Sequence, residues 1–253
     1  MNHWNLKKLF IPPLIIITLF LSWLSPFFRP YWNALDSWTF YTLNTWVQEN
    51  TFWQNFWAFA GTRLMDWIHD IFMFLFFFYA IKKATLDLKA RKIAQLIGTI
   101  LFMALTICIV NGIMFPEFIH APRKSPTMID REAFRLSSVI EWTKVKDHSR
   151  KSFPGDHATT AILFTCFIYY LMGWRLGILA TVYAIFFCLP RLIVGAHWLT
   201  DILLGSSLIA IIISSLIMGT PIGNGVFRLF EKMIHKIRTR FNAADSPPSK
   251  SNS

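Results

Sequence analysis

The chain has 253 residues, 54% of them apolar and only 15% charged, with a mean hydropathy of +0.43 and a net charge of +11. Soluble domains carry about a quarter charged residues, so this composition, rich in Phe and Trp, excludes a disordered chain and argues against a soluble one. The excess of cations looks like a nucleic-acid signal only until the basic residues are placed between apolar runs. Cys108, Cys166 and Cys188 all lie inside such runs and read as small buried hydrophobes. No CxxC spacing marks a metal site or a disulfide framework.

A helix needs about 20 apolar residues to cross a bilayer. Six stretches qualify, at 9–28, 65–81, 93–115, 158–174, 176–189 and 198–218. They predict an all-α, polytopic membrane protein with six transmembrane helices, built as one domain over residues 1–241. The first run follows Lys7 and Lys8 as a signal peptide would, yet it lacks a small-residue cleavage site and reads as an uncleaved anchor. Between the first two runs, Trp32, Trp38, Tyr41, Trp46, Trp53 and Trp57 mark one or two helices lying in the membrane interface. The second run is interrupted at its front by Asp66, His69 and Asp70. From 226 to 241, apolar Val226, Phe230, Met233, Ile234 and Ile237 alternate with Arg228, Lys232, Lys236, Arg238 and Arg240. That is a basic amphipathic helix suited to the anionic cytoplasmic leaflet. Residues 242–253 are rich in Ser, Pro and Asn and read as a disordered tail.

Basic residues between spans set the orientation. With the N-terminus in the cytoplasm, that side receives Lys7, Lys8, Lys82, Lys83, Lys89, Arg91, Lys92, Arg175 and the basic tail. The opposite side receives 11 of the 25 cations, and eight of them lie between Arg123 and Lys151. The short loops obey the positive-inside rule, so both termini are expected inside. The loop at 116–157 then faces outward with a charge that needs a cause.

Polar residues gather where the fourth and sixth spans open onto these outer loops. Pro154-Gly155-Asp156-His157 stands immediately before an apolar run, and free backbone N–H groups at such a helix start suit a phosphate. Arg191, His197 and Asp201 follow, with Asp201 four residues after His197. On a helix that spacing shares one face, so Asp201 is expected to accept the imidazole N–H and set its tautomer. Arg123 and Lys124 open the basic loop, and Arg offers forked donors to phosphate oxygens. Taken singly, a helix-terminal His, an i,i+4 His–Asp pair and snorkelling cations are ordinary structural features. Together, at the ends of membrane spans, they point to a functional site.

Pro154-Gly155-Asp156-His157 and Pro190-Arg191-x5-His197-x3-Asp201 resemble the last two motifs of the type 2 phosphatidic-acid phosphatase superfamily, Pro-Ser-Gly-His and Ser-Arg-x5-His-x3-Asp. The resemblance implies that superfamily's helical bundle, with His197 as nucleophile forming a phosphohistidine and Asp201 orienting it. His157 would protonate the leaving group, while Arg191 and the Gly155 N–H hold the phosphoryl oxygens. No metal and no cofactor is implied. The superfamily's first motif, Lys-x6-Arg-Pro, is missing: Phe118 and Ser125 stand at its Lys and Arg, with Arg123 and Lys124 the nearest replacements. Asp156 replaces a small residue.

These departures, with Arg123-x-Ser125-Pro126-Thr127, the stretch from Lys146 to His157 and Arg63-x2-Asp66, resemble one branch of the superfamily, the lipid A phosphotransferases. That likeness implies undecaprenyl pyrophosphate as phosphate donor and lipid A, a lipopolysaccharide precursor, as acceptor. It places the protein in a Gram-negative inner membrane with the site facing the periplasm and no nucleic-acid partner. Two polyanionic headgroups meeting there account for the basic loop, with Lys144, Lys146, Arg150 and Lys151 as candidate contacts. Two alternatives stay open: a hydrolase of the same superfamily, in which water attacks the phosphoenzyme, and a silent membrane scaffold, against which the intact His157, Arg191, His197 and Asp201 argue.

Overall fold

A computed structural model describes residues 4–114 and 123–244 of the chain. The described residues are helical with connecting loops. Nine helices longer than one or two turns occur among them: α1 Leu6–Leu24, α2 Arg29–Gln48, α3 Thr51–Ala60, α4 Arg63–Lys83, α5 Leu86–Thr106, α6 Asp156–Met172, α7 Trp174–Ile193, α8 Ser207–Gly219 and α9 Pro221–Ala244. A π-helical stretch, Ile107–Met114, extends α5, and a second, Asp201–Ser206, leads into α8.

Among the described residues, five helical segments are long and apolar enough to cross a membrane: Leu6–Leu24, Arg63–Lys83, Leu86–Ile109, Trp174–Ile193 and Asp201–Gly219. The remaining expected span coincides with α6, which has 17 residues and is about 26 Å long at 1.5 Å per residue. The expected end of the third span, at 115, lies outside the described residues, as do 116–122 of the outer loop and 245–253 of the tail.

Helix α6 is the centre of the bundle. Leu163, Phe164, Phe167 and Ile168 are all at most 1% exposed, because α6 packs against α7, α8 and α5 at once. Most of α1 and α4 instead turns Leu, Ile and Phe side chains outward, as helices facing lipid do. Helix α9 lies along α5, where Phe227 is fully buried in a cluster with Phe102, Leu163, Phe167 and Ala210. Gly98 makes that contact possible, since a Cβ there would stand 2.6 Å from the Phe227 ring. Beyond Phe227 the basic face and the Leu229, Met233 and Ile237 side chains are exposed.

The aromatic stretch at 29–60 forms α2 and α3, and these do more than line an interface. Tyr41 donates to Asp130 at 2.6 Å, and Asn44 exchanges two 3.0 Å bonds with the backbone of Phe134. Trp142 donates to Asn55 at 2.7 Å. The two helices thereby become a platform on which the basic loop rests.

Candidate active site

The loop is folded inward by its own polar groups. Ser125 N–H donates to Ser149 C=O at 2.9 Å and Ser152 N–H to Arg123 C=O at 2.8 Å, which zips 123–125 against 149–152. Fully buried Asp147 accepts the Ser137 N–H at 2.8 Å. The Thr127 hydroxyl sits between the carbonyls of Asp147 and Gly195, joining the loop to the turn after α7. Gly195 has φ +73°, and a Cβ there would meet Thr127 Cγ2 at 2.6 Å and Phe40 Cε2 at 2.7 Å. Only glycine combines that dihedral with so little space.

This turn carries His197. Its imidazole Nδ1 lies 2.7 Å from the carbonyl oxygen of Ser152. A carbonyl only accepts, so Nδ1 holds the proton and the lone pair is left on Nε2. Gly155 lies against the ring, for a Cβ there would sit 3.4 Å from His197 Cε1. The sequence places His197 on a helix with Asp201 as its hydrogen-bond partner; the structure places it before the helix. Asp201 Oδ2 accepts the Trp198 N–H at 2.8 Å and stands 3.8 Å from His197 Nδ1. The carboxylate is within electrostatic reach of the imidazole, but the Ser152 carbonyl makes the hydrogen bond.

Arg123 likewise has partners within the protein. Its guanidinium donates to Asp36 Oδ2 and Asp201 Oδ1, both at 2.6 Å, and to the Thr200 hydroxyl at 2.7 Å. Asp36 also accepts the Thr200 N–H at 2.8 Å and its hydroxyl at 2.7 Å. Both carboxylates are at most 1% exposed, and the rings of Trp23 and Trp198 lie 5.6 and 5.2 Å from the guanidinium carbon. Arg123, expected to contact phosphate, is a half-buried brace between two buried carboxylates and also lines a polar pocket of about 560 Å³ with Arg29 and Lys124. Lys124 is exposed, and its backbone carbonyl accepts the Trp198 indole N–H at 2.9 Å. Outside the spans, Arg29 feels this cluster too: burial and the Arg123 charge pull its guanidinium below its ordinary value.

A second group converges on the first turns of α4 and α6 and the last turn of α7. Arg191 Nη2 lies 3.3 Å from His157 Nε2. Asp66 Oδ2 stands 3.5 Å from the same His157 nitrogen, and its Oδ1 stands 3.6 Å from Arg191. Next to them an apolar cleft of about 430 Å³ opens between α4, α5 and α6, lined by Met73, Phe77, Met103 and Phe164 and ending at Asp70 and Thr160. Asp70 is one turn beyond Asp66 on α4 and Thr160 one turn beyond His157 on α6, so the cleft begins about one turn from the His157 cluster. Asp156 occupies the first position of α6, where a carboxylate complements the helix dipole. Lys144, Lys146, Arg150 and Lys151 are exposed along the loop.

Sequence reasoning missed Asp36, the Ser152 carbonyl and the Thr127–Asp147 tie. A carboxylate in the middle of an aromatic interfacial stretch is the one available signal for Asp36. A backbone carbonyl leaves no side-chain signature at all. Among the described residues, no group of three or more His, Cys, Asp or Glu side chains is arranged to hold a metal ion.

Arg123, His157, Arg191, His197 and Asp201 fall within residues 95–224, which match the family model of the PAP2 superfamily, while Asp36 and Asp66 lie outside that range. The match spans just over half of the chain, and the chain belongs to that superfamily of membrane enzymes that handle lipid phosphates. Lipid A 1-diphosphate synthase of Escherichia coli (strain K12) is 29% identical to it over 231 residues, covering 91% of this chain and 94% of that protein. No solved structure matches the chain.

Proposed function

We propose that the protein transfers the terminal phosphate of undecaprenyl pyrophosphate to the 1-phosphate of lipid A through a phosphohistidine on His197. The observation that carries this reading is the His197 ring: its Nδ1 is held by the Ser152 carbonyl at 2.7 Å, so a lone pair on Nε2 is available to attack phosphorus. Attack forms the N–P bond and breaks the bridging P–O bond. The electron pair leaves with undecaprenyl phosphate, whose oxygen takes a proton from His157. As the imidazole becomes cationic, the Asp201 carboxylate at 3.8 Å stabilises it. Arg191 and the N–H groups that open α6 face the charge developing on the phosphoryl oxygens. A lipid A phosphate oxygen then attacks phosphorus, breaks the N–P bond and returns its proton to His157.

Three further features support the reading. The apolar cleft beside His157 fits a substrate whose hydrocarbon chain stays in the bilayer. The exposed Lys146, Arg150 and Lys151 supply the cations that two polyanionic headgroups need. The similarity to the E. coli synthase covers almost the whole chain. In this reading the site faces the periplasm, both termini are cytoplasmic, and the free face of α9 rests on the inner leaflet. Lys124, exposed next to Arg123, is an additional headgroup contact.

The test uses undecaprenyl pyrophosphate labelled in its terminal phosphate. Label is expected in lipid A when that acceptor is supplied, together with an acid-labile phosphoenzyme in wild type that is absent from His197→Ala. Label released only as inorganic phosphate, with lipid A present and unlabelled, would establish a hydrolase instead.

A further inference from the structure

We infer that Asp66 is a positioning residue for the proton-donating step: its carboxylate holds the Nε2 edge of His157 ready to donate and balances the positive charge that Arg191 brings beside it. The inference rests on the reading of His157 as proton donor given above.

Asp66 lies in the first turn of α4, an otherwise apolar crossing helix. A carboxylate there is costly and keeps a partner. Asp66 has two, one for each oxygen. Oδ2 faces His157 Nε2 at 3.5 Å and Oδ1 faces Arg191 Nη2 at 3.6 Å.

The third side of the triangle makes this arrangement informative. Arg191 Nη2 and His157 Nε2 are 3.3 Å apart. A guanidinium has donors only, so with no anion present the favourable arrangement is Arg191 donating to an Nε2 lone pair. A ring in that tautomer has no proton at Nε2 to give. The carboxylate reverses the preference, because its charge favours the imidazolium, which carries a proton on Nε2, and offsets the adjacent guanidinium. Contacts of 3.5 Å in a free enzyme shorten when substrate closes the site.

The other groups around His157 do not replace Asp66. His69 and Asp70, on the same face of α4, are near enough to interact electrostatically with it. His69 is engaged with Tyr183, its Nδ1 lying 3.0 Å from the phenolic oxygen. From α7, besides Arg191, the Phe187 ring stands 5.9 Å from the imidazole and closes that side. Asp156 precedes His157 in the chain at the start of α6. In the step itself the imidazolium Nε2–H bond breaks, its electron pair stays on nitrogen to leave a neutral imidazole, and an O–H bond forms on the leaving phosphate, while Asp66 keeps its charge throughout.

The experiment compares full-length wild type with Asp66→Asn, Asp66→Ser, Asp66→Glu, His157→Gln and the Asp66→Asn/His157→Gln double variant, with folding verified by thermal unfolding in detergent. The donors are undecaprenyl pyrophosphate and para-nitrophenyl phosphate, whose leaving group departs without a proton. General acid catalysis is worth about 10²–10⁴-fold and a misaligned acid loses part of that, so both neutral variants should lower kcat on the pyrophosphate roughly 10- to 100-fold with KM nearly unchanged. Asp66→Glu should recover most of the loss, the double variant should be no slower than His157→Gln, and in the Asp66 variants the first-turnover burst of para-nitrophenolate, which reports phosphoenzyme formation alone, should fall far less than turnover of the pyrophosphate. Wild-type kcat in Asp66→Asn or Asp66→Ser, beside an impaired His157→Gln, overturns the role of Asp66 and leaves the proton donor standing. Full activity in His157→Gln overturns the proton donor itself. A raised KM at constant kcat, or multiplied losses in the double variant, shows Asp66 acting in binding or independently of His157, and overturns the inference.

Discussion

The brace Asp36–Arg123–Asp201 joins two buried carboxylates through one half-buried guanidinium. Isolated, each carboxylate would be costly to bury; joined through one guanidinium and Thr200, every oxygen has a donor. Breaking such a pair from one side is worse than never having built it, at about 3–5 kcal/mol, because a charge is left buried without its partner. Arg123→Ala is therefore expected to lower the unfolding temperature in detergent markedly. Arg123→Lys should recover little of the loss, since a single ammonium does not reproduce the fork. Arg123→Ala with wild-type stability would show that the brace contributes nothing.

At the scale of elements, the aromatic interfacial helices are what give the basic loop its shape. The Tyr41–Asp130 hydrogen bond joins α2 to that loop and shifts both groups. It pushes the Tyr41 hydroxyl above its ordinary 10.0 and holds the Asp130 carboxyl below its ordinary 3.8. A raised Tyr value means stability that is complete below 10.0 and lost as pH climbs through the raised value. A depressed Asp value means stability complete above 3.8 and lost as pH falls through the lowered one. The difference in unfolding temperature between wild type and Tyr41→Phe should accordingly be flat between these limits and vanish at both extremes; a difference that grows in acid would contradict the pairing. Helix α9 depends on one ring in the same way. Removing a buried Phe costs about 3–5 kcal/mol, so Phe227→Ala should loosen α9 from α5 and expose it to protease, and Gly98→Leu should have the same effect by displacing the ring. Unchanged proteolysis in both would show that α9 is held elsewhere.

For the whole molecule the open question is sidedness. Helices α4 and α6 begin, and α7 ends, at the level of His157, Arg191 and His197, so the site and the basic loop share one end of the bundle. Their side of the membrane depends on how many segments cross before them. With crossings at α1, α4, α5, α6, α7 and α8, both termini lie on one side of the membrane and the site on the other, and the proposed function requires the site on the periplasmic side. In a variant lacking Cys108, Cys166 and Cys188, a cysteine replacing exposed Ser138 should react with an impermeant maleimide in cells with a permeabilised outer membrane. A cysteine replacing Ser251 should stay unlabelled. The opposite pattern would place the site in the cytoplasm and rule out the periplasmic transfer reaction.

Much is legible in the linear chain because the signals are local. Hydropathy is a property of a run of residues, so the bundle, its crossing segments and the amphipathic helix can be read from the order of residues alone. The motifs containing His157, Arg191 and His197 are equally local, each spanning about a dozen residues or fewer. What each side chain touches is a different matter. Arg123 meets Asp36 across 87 positions and Asp201 across 78, and Asp66 reaches His157 only because α4 packs beside α6 and α7. The i,i+4 spacing of His197 and Asp201 looks decisive on a helix, yet a glycine with φ +73° ends α7 two residues before His197 and hands its hydrogen bond to a loop carbonyl. Local composition determined which segments are apolar enough to enter the membrane and which motifs stand at their ends. Only tertiary packing decided that Arg123 and Arg191 stand beside carboxylates, because Asp36, Asp201 and Asp66 come from segments far away in sequence.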